Sequence, residues 1–95
     1  MQKHTKLYFD YFDVDYDPQS GWHNCVSELS GLPSKDLHHI EARGMGGSKH
    51  ADRIENLMAL TREEHEKYGD KKQYKSFLQR AHDNYIARFT KGFIK

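Results

Sequence analysis

Apolar residues recur along the chain with a period that changes from segment to segment. In the opening aromatic segment, Leu7, Tyr8, Tyr11 and Phe12 fall at helical spacing, while Val14-Asp15-Tyr16 alternates like a strand. The balance predicts a short helix ending near Asp13. Asp17-Pro18-Gln19-Ser20-Gly21 and Gly31-Leu32-Pro33-Ser34 carry turn chemistry. Between them, Cys25-Val26-Ser27-Glu28-Leu29 follows Trp22 with a pattern that fits no single element. Lys35 to Glu41 predicts a short strand, and Asn56-Leu57-Met58-Ala59-Leu60 a second. The intervening loop holds Gly44, Gly46 and Gly47, which favour unusual backbone angles.

Thr61-Arg62-Glu63-Glu64 then has the form of a capping box, in which Thr61 caps a helix and Glu64 reaches back to it. Gly69 is placed to end that helix. From Asp70 onward Tyr74, Phe77, Leu78, Ala81, Tyr85, Ile86 and Phe89 share one helical face. Lys71, Lys72, Lys75, Gln79 and Arg88 lie off it. The stripe reads as core packing in preference to base stacking. The pattern predicts one α+β domain over 1–95, with a strand–strand–helix core at about 35–69 and a C-terminal amphipathic helix at about 71–89.

A chain of 95 residues supports one small domain with a thin core. It is 36% hydrophobic and 31% charged, near the composition of disordered chains, but its 13% aromatic content argues for a folded domain. Cys25 is the lone cysteine, so an internal disulfide and a four-cysteine zinc knuckle are excluded; it reads as a small buried apolar residue. No apolar run approaches the ~18 residues of a membrane span, and Met1-Gln2-Lys3-His4 opens no secretory signal. A cytoplasmic protein without membrane partners is expected.

The net charge of +1 is unevenly placed. Residues 1–36 hold three Lys/Arg against six Asp/Glu, and residues 66–95 hold eight against three. The basic tail suits an anionic partner, although a solvated helix face explains the charge equally well. Seven histidines in so short a chain direct attention to metal or acid–base chemistry.

The informative stretch runs from Asp36 to Gly69. It has the pair His38-His39 at the end of one strand, then the glycine loop, then Asn56 opening the second strand. His65 follows nine residues after Asn56, on the capped helix. In this order and spacing the chain resembles the HNH, or ββα-metal, endonucleases. The similarity is clear over about a third of the chain and weaker over about 22–80. The resemblance implies that His38 and His65 hold one divalent metal, that His39 is the general base, and that Asn56 braces the loop to hold that base in place. It implies cleavage of DNA by water attack, leaving 3′-hydroxyl and 5′-phosphate ends; RNA stays open as a substrate. Adjacent strand residues point to opposite faces, so His38 and His39 need a bend or strand end to serve one site.

Two departures from the family pattern matter. Relatives often carry a zinc knuckle, and here the positions of its cysteines hold Cys25, Glu28, Thr61 and Glu64. A helix cap takes the place of the structural zinc, with Trp22 and the N-terminal aromatics expected to fill the gap. Some relatives also have a further histidine where this chain has Gly69, so only two protein ligands are expected. That leaves the ion open among Mg²⁺, Mn²⁺, Ni²⁺, Co²⁺ and Zn²⁺.

Phosphate contacts are expected from Arg43, Lys49 and Arg53 around the glycine loop and from Lys71, Lys72 and Lys75 on the tail. Arg43 could equally be a plain surface residue. His50 fits a solvated loop position better than a phosphate contact, and His4, His23 and His82 read as structural or surface residues. One site per chain implies nicking with low sequence specificity, unless two copies pair. The alternative is an HNH-like module that binds nucleic acid or protein without cutting. Small free-standing HNH proteins are common in phages and mobile elements, which suggests a bacterial or phage-infected cell.

Overall fold

The computed structural model describes residues 2–41 and 52–91. Among them are three α-helices, α1 (Lys3–Tyr11), α2 (Arg62–Tyr68) and α3 (Lys75–Thr90), and two strands, β1 (Asp36–His39) and β2 (Leu57–Leu60). The glycine loop, with Arg43, Lys49 and His50, lies outside the described residues.

The strands pair antiparallel, with Asp36 opposite Leu60, Leu37 opposite Ala59, His38 opposite Met58 and His39 opposite Leu57. Alternation along this register divides the sheet into two faces. Leu57 and Ala59 turn toward α1, where they pack with Tyr8, Phe9, Phe12 and Cys25, and Leu37 joins them. Met58 and Leu60 turn the other way and pack with Ile40 and Leu78, with Tyr68 at the margin. Every residue of β2 is fully buried, because both sheet faces are covered. The same alternation carries Asp36 and His38 to the α2 side of β1, and Leu37 and His39 to the α1 side. The domain is therefore α+β, as its pattern indicates. Among the described residues no helix is long and apolar enough to cross a membrane.

The capping box at α2 is present in full. Thr61 Oγ1 accepts from the Glu64 amide at 3.1 Å, and the Thr61 amide donates to Glu64 Oε1 at 2.9 Å. Glu64 Oε1 also accepts from the Ser27 hydroxyl, which ties the turn after Cys25 to the start of the helix. Cys25 itself is buried, and desolvation pushes its thiol up to about 12.

Two sequence expectations need correction, on Trp22 and on the α3 stripe. Trp22 does not fill the core; it is 58% exposed, and Tyr8, Phe9 and Phe12 do the packing. Gly69 ends α2 as expected, and the left-handed conformation falls on Asp70 at φ 58°. Within the α3 stripe, Phe77 is exposed, and the fully buried residues of the helix are Leu78 and His82.

Candidate active site

Two histidine groups flank β1. On the α2 side, His38 Nδ1 lies 3.2 Å from His65 Nε2. The other nitrogen of His65, Nδ1, is 2.9 Å from Asp36 Oδ2, and Arg62 pairs with the second oxygen of that carboxylate at 3.1 Å. A carboxylate only accepts, so His65 carries its proton on Nδ1 and turns the lone pair of Nε2 toward His38. Asp36 is brought here by strand alternation, since residues 36 and 38 share a face.

Gly69 is part of the same arrangement. A Cβ at this position would collide with the His65 ring and its carbonyl oxygen. The glycine therefore leaves room for the imidazole where α2 ends. Asp70, the next residue, forms with His38 and His65 a group whose ligand atoms all lie within 4.8 Å of one another. Burial, followed by the neighbouring His65 and His39 side chains, holds His38 below the usual histidine pKa against the opposing pull of Asp70. His38 is thus neutral near pH 7, the form that can ligate a metal.

On the α1 side, His39 Nε2 lies 2.7 Å from Asp52 Oδ1, so this nitrogen donates and Nδ1 is left as the acceptor of the ring. His4 of α1 packs edge-on against His39, with ring centroids 4.8 Å apart. Asn56 is fully buried at the start of β2. Its Oδ1 accepts from the Glu41 amide at 2.7 Å, and its Nδ2 donates to the Glu41 carbonyl at 3.1 Å. With the Ile40 amide donating to the Asn56 carbonyl at 3.0 Å, this fixes the chain immediately after His39.

A cleft of about 730 Å³ is lined by Asp36, Arg62 and His65 from one group and by His4 from the other. A second, of about 360 Å³, is lined by His38, Asp70, Lys71, Lys72 and Lys75. Lys71 donates to the Glu66 and Lys67 carbonyls at the end of α2, and Lys75 pairs with Glu41 at 2.7 Å. Arg53 lies just before the short turn that leads into β2.

The sequence reading thus meets a mixed outcome at the level of placement. His38 and His65 come together, Asn56 grips the chain beyond His39, and the three tail lysines surround the cleft at His38. His39 lies on the opposite face, with its own carboxylate. Sequence reasoning passed over Asp36, Asp52 and Asp70, and left His4 as a structural or surface residue. Only Asp36 had a signal, its position two residues before His38 on a strand. No family model, curated protein or solved structure gives a significant match to the chain.

Proposed function

We propose that this chain is a metal-dependent endonuclease of the HNH, ββα-metal kind, cutting DNA phosphodiester bonds. The observation that carries the reading is the His38–His65 pair at 3.2 Å, backed by Asp36, one residue from the carboxylate-backed His39. Two imidazole nitrogens on one first-row ion, each at about 2.0–2.1 Å from it, stand about 2.9–3.4 Å apart. The observed separation fits that requirement, and Asp36 directs the His65 lone pair to the same point. Asp70 is a third potential ligand, beyond the two expected from the motif.

His38 and His65 would hold a divalent ion, which when bound would neutralise charge on the scissile phosphate and the departing 3′-oxygen. His39 is the last residue of β1 and turns to its other face, so in this reading the phosphate reaches round the strand end for His39 Nδ1 to accept the proton of the attacking water. Asp52 holds the ring in the tautomer that leaves Nδ1 available, and it stabilises the imidazolium that forms. Asn56 limits movement of the backbone after His39, so the acceptor stays aligned. Lys72, with Lys71 and Lys75 beside it, grips phosphates next to His38 without reading bases.

Relaxation of supercoiled plasmid by the protein in Mn²⁺ or Mg²⁺, and its loss in EDTA, tests the reading. A protein that binds DNA but leaves the plasmid intact with every divalent ion is a binding module instead.

A further inference from the structure

His4, His39 and Asp52 come from α1, the end of β1 and the segment before β2, and each brings one ligand atom within 4.8 Å of the other two. All three are half-buried, so each side chain is partly held yet reachable by an ion from solvent. We infer that these residues form a second divalent-metal site, distinct from His38 and His65, which switches the enzyme off when it fills. Two imidazoles and a carboxylate with room for water are a donor set suited to Zn²⁺ or Co²⁺ and a poor one for Mg²⁺.

The consequence follows from which nitrogen the ion takes, and it rests on His39 being the base. His39 Nε2 faces Asp52 at 2.7 Å, so an ion shared by the two occupies the place of the Nε2 proton. A neutral imidazole ligated through Nε2 carries its one proton on Nδ1. The nitrogen that accepts from water becomes a donor, and cleavage stops although the phosphate-binding groups are untouched. Activity should then rise and fall with increasing Zn²⁺, whereas Mg²⁺ should only activate.

Co²⁺ titration followed by visible absorption, with Zn²⁺ calorimetry beside it, tests the site on the intact chain. The parent should take two ions, and His4→Ala should take one while keeping its circular dichroism spectrum. His4→Asp, which restores a ligand, should recover the second ion. The double variant His38→Ala/His65→Ala should keep the ion at His4, which an activity assay could not reveal. A His38→Ala/His65→Ala protein that binds no ion, or a His4→Ala protein that binds as many ions as the parent, overturns the site. In nicking assays excess Zn²⁺ should inhibit the parent at least tenfold and His4→Ala far less, each measured against its own activity in Mg²⁺. If the second ion binds and does not inhibit, the site stands and His39 is not the base.

Discussion

The side chains of Glu28 and His82, 54 positions apart in the chain, meet at 2.7 Å with no solvent exposure on either. His82 Nε2 also donates to the Ile54 carbonyl at 2.6 Å. With acceptors on both nitrogens, the ring is held as imidazolium. Glu28 Oε2 accepts in turn from the Tyr8 hydroxyl at 2.6 Å and the Ala59 amide at 3.3 Å. One carboxylate thereby joins α1, β2 and α3.

Removing one partner of this pair strands a buried charge, so His82→Ala should cost about 3–5 kcal/mol in chemical denaturation. Replacing both, as in Glu28→Leu/His82→Leu, should cost less than the single change. The pH dependence has a definite sign. Desolvation pulls the His82 pKa down, but the Glu28 hydrogen bond and charge and the Ile54 carbonyl outweigh it, and the pKa is raised. The pair's contribution is fully present below the unfolded histidine value of about 6.5 and is lost as pH rises through the folded value. The thermal midpoint of the parent should fall over that alkaline range, and the double leucine variant should lack this fall.

The Thr61 cap gives a smaller effect. Thr61→Ala should cost about 0.5–2 kcal/mol, the range for loss of an N-cap. Its measurement is the denaturation midpoint, and an unchanged midpoint would mean that the cap does not anchor α2. Glu64→Ala should cost more, because Glu64 also holds Ser27.

Elements with a local cause were legible in the sequence. The Thr61–Glu64 box is a four-residue motif, the α3 stripe is a helical period, and the convergence of His38 with His65 follows from a strand pair and a capped helix. What escaped depends on partners distant in sequence. His82 reads from the sequence as a structural or surface residue, and its carboxylate partner, 54 positions away, carries no local signal. His4 meets His39 because Leu57, Ala59 and Leu37 hold α1 on the sheet, and Asp52 meets it from the segment before β2. Gly69 ends α2 as its residue type suggests, and the close approach of the His65 ring is a second reason for glycine that the sequence does not show.

Support of the His65 ring should govern metal affinity. Asp36→Ala removes the acceptor of the Nδ1 proton, and Gly69→Ala forces the ring aside; each should weaken the ion at His38 and His65 by about 10–100-fold. Calorimetry at fixed pH reads this directly. Affinity equal to the parent in both variants would show that His65 is not a ligand.

The lysines beside His38 should set salt dependence. Reversing Lys71, Lys72 and Lys75 to Glu should lower affinity for unrelated DNA sequences by similar factors and flatten the log-affinity versus log-salt slope. Lys72→Glu is the sharper probe, because Lys71 also caps α2 and Lys75 also pairs with Glu41. Binding by the triple variant equal to the parent across ~50–200 mM salt would assign the grip to other residues.

The division of labour between adjacent histidines is tested most directly by comparing His39→Ala with His65→Ala in one paired measurement. Plasmid nicking is followed in saturating Mn²⁺, and Mn²⁺ affinity is measured by calorimetry on the same preparations. His39→Ala should lose nicking by at least about 100-fold, the lower range for removing a general base, and retain the ion at His38 and His65 with near-parental affinity. His65→Ala should lose both. A His39→Ala protein that nicks like the parent, or one that no longer binds that ion, would contradict the assignment of base and ligand.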